Sequence, residues 1–162
     1  LKELTKQSKF NILDLNIRES YYDFEKVSSL VNSADFLKVS LEELELINQL
    51  FKFNISDTQN LIFKILKQFD LKYICVTNGE IESMIYDGKN FEIAKSFQVD
   101  SIDNVGAGDN FLAALIDELL IKKNNLKSSL RIASAYGAIT TTKNGAVPKI
   151  NNYEVGSMLN SQ

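Results

Sequence analysis

No histidine occurs anywhere among the 162 residues. That absence removes Ser-His-Asp triads, Cys-His nucleophile pairs and histidine-bound metals together. Cysteine is nearly as scarce. Cys75 stands alone in an apolar stretch, which excludes a disulfide framework or a cysteine-built zinc site and leaves a small core residue. An excess of positive charge is also missing: Lys and Arg number 18 against 21 Asp and Glu, for a net charge of -3. With the signs interspersed, no basic surface argues for nucleic acid. The opening "LKELTKQSKF" has the form of neither a signal peptide nor a membrane span, so no membrane partner and a cytoplasmic location are expected. It starts on Leu1 rather than Met, and the chain is therefore expected to be a piece of something longer. Any catalysis must run on carboxylates, lysine, arginine, main-chain amides and a borrowed metal ion.

What is present is the composition of one ordinary globular domain, 44% hydrophobic with seven Gly and one Pro, long enough to bury a core. Apolar spacing predicts strands over 10–15, 35–39 and 72–77 and a hairpin over 82–97 turned by Asp87-Gly88. Helical spacing covers 22–34, 40–51 and 56–69, the last two with Ser at their starts. Two further helices are expected from about Ala107 to Lys122 and from about Leu126 to Thr142. Repeats, low-complexity stretches and linkers are absent from the sequence. The alternation implies a single α/β domain over 1–162, built on a mostly parallel sheet with helices on both faces. Ligands are expected at the carboxyl ends of its strands.

The stretch "SIDNVGAGDNF" (101–111) carries the chemistry. A helix starting near Ala107 leaves its first amides without internal partners and gathers about half a positive charge there. Glycines let a ligand approach that backbone closely, which makes an anion site. Asp109 then falls in the first turn. Beside a bound phosphate an acid is repulsive unless it has a task, and taking a proton from an attacking hydroxyl is one. The plain alternative is a helix cap in which Asp109 complements the dipole. Phe111 stands where a dinucleotide fingerprint needs its third glycine, and no G-x-x-x-x-G-K-[ST] motif occurs.

"DNVGAGDNFLAAL" resembles the D-T-x-G-A-G-D signature of ribokinase-type sugar kinases, the PfkB carbohydrate kinase family, with Asn104 in the Thr position. The resemblance implies a ribokinase-like, Rossmann-type three-layer sandwich. It makes Gly106, Ala107 and Gly108 an anion hole, Asp109 the catalytic base that faces the substrate, and Asp103, Val105 and Gly145 parts of a monovalent-cation (potassium) loop.

Four other stretches join it. "DLNIRESYY" (14–22) reads as a polar exit loop, yet resembles the D-x-N-x-R of fructokinases and 2-keto-3-deoxygluconate kinases. That likeness implies substrate roles for Asn16 and Arg18. "KVSLEEL" (38–44) has capping-box spacing at Ser40 and Glu43. The family has N/S-x-x-E here, with the glutamate organising Mg2+ indirectly and Lys38 and Ser40 near the nucleotide. "VTNGEIES" (76–83) is similar to V-T-L-G-x-x-G, which implies nucleotide-binding roles for Thr77 and Gly79, with Glu82 at the second glycine. "ASAYGAITTTKNGAVP" (133–148) resembles the closing adenine segment. Ser134 and Gly137 would line the nucleotide, whereas the plain reading of these small residues is close helix packing.

The resemblance implies transfer of the γ-phosphoryl group of ATP, with Mg2+, to a sugar hydroxyl. Fructose is the leading acceptor, and 2-keto-3-deoxygluconate and ribose are the alternatives. A non-catalytic nucleotide-binding domain is the rival from another class. The likeness covers only the second half of a family member. The N-terminal half, with its lid and dimer contact, is expected to be missing, the intact protein to be a homodimer, and this polypeptide alone to be inactive or nearly so.

Overall fold

The computed structural model describes residues 7–17 and 23–161. In chain order these form β1 (Ile12–Asp14), α1 (Phe24–Val31), β2 (Phe36–Ser40), α2 (Leu41–Leu50), α3 (Thr58–Gln68) and β3 (Tyr73–Asn78). Then come β4 (Glu82–Tyr86), β5 (Phe91–Lys95), α4 (Ala107–Ile116), α5 (Leu126–Thr141) and α6 (Asn152–Asn160). The strands follow one another through a five-stranded sheet in the order β1-β2-β3-β4-β5. The backbone groups into two compact units, one of the described residues up to Thr77 with Ile85–Phe91, the other of Asn78–Met84 with Glu92 onward.

In the first unit β1, β2 and β3 pair in parallel, with Asp14 opposite Lys38 and Lys38 opposite Cys75. Four consecutive residues of β2, Phe36 to Val39, are buried. Successive strand side chains point to opposite faces, so a continuous buried run means that both faces are covered, as parallel sheets require. Helices supply the cover through Val27, Val31, Leu44, Ile47, Leu61, Ile62 and Ile65. The cap of α3 is Asp57, whose carboxylate accepts the Asn60 N–H, and not the Ser56 suggested by the sequence. The residue directly before the first helical one has the better reach to the third amide. Asp87 turns the hairpin by accepting the Lys89 and Asn90 N–H groups.

The second unit packs α4 against α5, with Phe111, Leu115, Leu130 and Ala133 buried. Phe97, Ala135, Ile139 and Val155 form another buried cluster. The helix expected to reach Lys122 stays α-helical only to Ile116 and then widens into a π-helical turn over Asp117–Ile121. There Lys122 N–H reaches back five residues to Asp117 O at 2.8 Å. Buried Glu118 binds Lys122 Nζ and Asn124 Nδ2, both at 2.6 Å, and so ties off the end. Helix α6 was not anticipated. Its apolar spacing is thin, and its start is secured by a capping box between Asn151 and Glu154.

Candidate active site

The turn 103–109 lies wholly within the second unit. Gly106 is the residue before α4 and has a left-handed φ of 79°, with no side chain to cap the helix. Without capping, the opening amides keep their donor capacity. Ala107 N–H reaches Asn104 O at 3.3 Å and Asn110 N–H reaches Gly106 O at 2.9 Å. Among the described residues the N–H groups of Gly106, Gly108 and Asp109 have no partner. The free donors are thus Gly106, Gly108 and Asp109, while Ala107, expected among them, is turned inward to the loop.

Asp109 is in the first turn of α4, is exposed, and has no hydrogen bond or ion pair among the described residues. Its carboxylate caps nothing. From the first turn it complements the positive end of the α4 dipole through space, with both carboxylate oxygens open to solvent.

Asp103, Val105 and Gly145 come together. Asp103 accepts the Val105 N–H at 3.0 Å and, from across the fold, the Gly145 N–H at 3.1 Å. These two donors hold the Asp103 carboxyl below its ordinary 3.8. Ile102 N–H and Asp103 N–H both donate to Thr141 O, at 2.7 and 3.1 Å. Asp103 thus joins the two others through direct hydrogen bonds from their main-chain donors.

Gly137 and Ser134 are both packed within the second unit. A Cβ on Gly137 would meet Ala107 O and Phe111 Cβ at 3.5 Å, so the glycine lets α5 lie close to the start of α4. Ser134 is buried, donates to Leu130 O at 2.9 Å and meets Ser83 Oγ at 3.0 Å. Its hydroxyl is consumed inside the protein. Ser129 Oγ, on the same helix, is buried without a partner; nothing in the structure explains it.

The first unit holds the other expected residues. Lys38 is 8% exposed and paired with Asp14, its Nζ lying 3.1 and 2.9 Å from the two carboxylate oxygens. It is half of a part-buried ion pair on adjacent strands. Cys75 lies opposite Lys38, and burial pushes its thiol up to about 12. Ser40 and Glu43 form a full capping box on α2. The other Glu43 oxygen accepts Ile17 N–H and so fastens the exit of β1. Asn16, in that exit, is exposed with φ 41°. Arg18, Tyr21 and Tyr22 lie outside the described residues. Thr77 Oγ1 lies 3.5 Å from Val39 O, a weak contact at best. In the second unit Gly79 has φ 48°, and Glu82 opens β4 half-buried.

Residues 1–152 match the family described as pfkB family carbohydrate kinase. The chain belongs to that family. It is 33% identical over 148 residues to the candidate fructokinase-8 of Arabidopsis thaliana, a match covering 85% of this chain and 68% of that one. To fructokinase-2 of Solanum habrochaites it is 35% identical over 131 residues, 77% of this chain and 38% of the relative. The fold is similar to that of a Xylella fastidiosa fructokinase solved with bound ATP: TM-score 0.80, 22% identity, 98% of this chain and 55% of the other. The chain spans about half the length of this solved fructokinase, and between about two fifths and two thirds of the curated relatives. The fold is therefore ribokinase-like, as the sequence suggested.

Among the described residues no three Asp, Glu or Cys side chains gather to hold a metal. No described helix is long and apolar enough to cross a membrane.

Proposed function

We propose that the protein carrying this chain is an ATP-dependent sugar kinase, with fructose as its leading acceptor and fructose 6-phosphate as product. One observation supports the reading most: an exposed, unengaged Asp109 carboxylate beside unpaired amides at the mouth of α4. The names of the curated relatives favour fructose.

Asp109 accepts the proton of the acceptor hydroxyl as that oxygen bonds to the γ-phosphorus. The bond from that phosphorus to the β,γ-bridging oxygen breaks, and ADP leaves with the electron pair. Free N–H groups of Gly108 and Asp109, reinforced by the positive end of the α4 dipole, hold the charge on the migrating group. Mg2+, when bound, neutralises the nucleotide phosphates. Glu43 keeps the start of α2 and the exit of β1 together, and so steadies Ser40 and Asn16. In this reading Asn16 and Arg18 face the sugar, Lys38, Ser40, Thr77 and Gly79 serve the nucleotide side, and potassium is an optional addition at the Asp103 loop.

The test is a coupled assay of the intact protein with MgATP and a panel of fructose, 2-keto-3-deoxygluconate and ribose, repeated with Asp109→Asn. Turnover should be greatest on fructose and fall about 10²- to 10⁴-fold in the variant, while calorimetric ATP affinity stays nearly constant. Equal turnover in variant and parent removes Asp109 from the role. ATP binding by the parent without transfer to any sugar favours a nucleotide-binding domain instead.

A further inference from the structure

Asn110 follows the acid and carries none of the chemistry described so far, yet it has a specific pair of contacts. Its Nδ2 donates to Gly106 O at 2.9 Å and to Ala146 O at 2.9 Å. An amide nitrogen has two hydrogens, and both are used. One goes to the glycine that opens α4 and the other to a loop 36 residues away in sequence.

That loop presses hard on the turn. A Cβ on Gly106 would lie 2.1 Å from Ala146 O, so the Ala146 carbonyl rests directly over the glycine. Asp103 catches the same loop one residue earlier, through Gly145 N–H. The loop's other end is fixed as well, since Lys143 Nζ binds Lys149 O at 2.6 Å and pairs with Glu154. Three carbonyls and amides of the loop thus meet the turn or their own flank, and Asn110 supplies the only described side-chain link from α4 itself.

The consequence is local. Gly106 C=O and Ala107 N–H share one rigid peptide plane. Gly106 O receives both the main-chain N–H of Asn110, at 2.9 Å, and its side-chain amide. Two donors on one carbonyl fix the orientation of that plane, and the Gly108 and Asp109 amides follow from it. We propose that Asn110 is a positioning residue, clamping the Ala146 loop onto the glycine turn so that the free amides stay aimed at the group in flight.

This rests on the kinase reading above, and the experiment separates the two. In the intact protein, Asn110→Ala and Asn110→Ser would be compared with the parent for kcat and KM on MgATP and fructose. Hydrogen exchange over 104–109 and 143–148 would be followed in parallel, without nucleotide. Loss of both side-chain bonds, each of the usual net strength, should lower kcat about 30-fold in Asn110→Ala, with both KM values within twofold. Interactions made only in the transition state show that split. Exchange of the hydrogen-bonded Val105, Ala107 and Gly145 amides should quicken about tenfold. Asn110→Ser, whose hydroxyl reaches Gly106 O but not Ala146 O, should fall between. A merely structural role would lower the melting temperature and leave kcat per folded molecule within twofold, and that result overturns the proposal. Unchanged exchange overturns it too, whatever the activity. A parent that transfers no phosphate to fructose overturns the kinase reading and the positioning role with it, while the exchange data still show whether the clamp exists.

Discussion

Gly106 and Gly145 share a left-handed backbone, φ 79° and 87°, but not their surroundings. A Cβ on Gly145 would meet nothing within 4 Å, whereas one on Gly106 would strike Ala146 O at 2.1 Å. Gly145→Ala therefore carries only the left-handed strain of about 1–2 kcal/mol. Gly106→Ala adds a clash between two backbones, and no rotamer relieves it. The turn must shift, and the amides beside Asp109 shift with it. Turnover of the intact protein should fall at least about 100-fold in Gly106→Ala, the scale of losing one well-aimed donor, but less than tenfold in Gly145→Ala. Parallel kcat measurements check this, and equal losses in the two variants would refute it. The sequence showed that glycines were wanted here. Which of them is pinned against another chain segment was not visible, because the obstructing atom belongs to a residue 40 positions later.

Helix α2 shows the same division among elements. Its capping box was legible from the spacing of Ser40 and Glu43, since both bonds lie within one turn. The second task of Glu43, holding Ile17 N–H, joins residues 26 apart and had no local signal. Ser40→Ala should cost the ordinary price of a lost cap, about 1 kcal/mol. Glu43→Ala should cost about twice that, because it also frees the exit of β1 with a part-buried N–H unsatisfied. Chemical denaturation of both variants checks the order, and a Glu43→Ala protein as stable as the parent would leave the glutamate no structural part. The end of α4 is a different case. Its apolar pattern continues through Leu119 and Leu120, so periodicity alone could not show the π-helical widening that buries Glu118.

For the polypeptide as a whole, the sheet order leaves β1 at one edge, with no strand on its outer side among the described residues. Ile12 on that edge is 37% exposed. Unpaired strand edges recruit other strands, so a preparation of residues 1–162 alone should self-associate. Its apparent mass by size exclusion with light scattering should rise with concentration. A clean monomer across a hundredfold range of concentration would contradict this. The parallel order β1-β2-β3 was legible from buried apolar runs separated by helices. Helix α6 escaped because it is held by its cap and by packing of Val155 in the Phe97 cluster, neither of which shows as a clear apolar stripe.

The sequence by itself determined which functional groups are available and where the glycine turn begins. No histidine, a single thiol, and glycines ahead of an acid at a helix start are all properties of composition or of neighbours within a few residues, where backbone sterics and first-turn amides act. Only the tertiary structure decided what those groups do with their hydrogen bonds. It paired Lys38 with Asp14, turned the Ser134 hydroxyl inward to Ser83 and Leu130, left Asp109 unengaged, and set Ala146 on Gly106 under the Asn110 amide. Apart from the unengaged Asp109 and the local Leu130 contact, each of those outcomes joins residues 24 or more positions apart in the chain. Their pairing depends on which surfaces the buried cores bring together, and no local pattern records that.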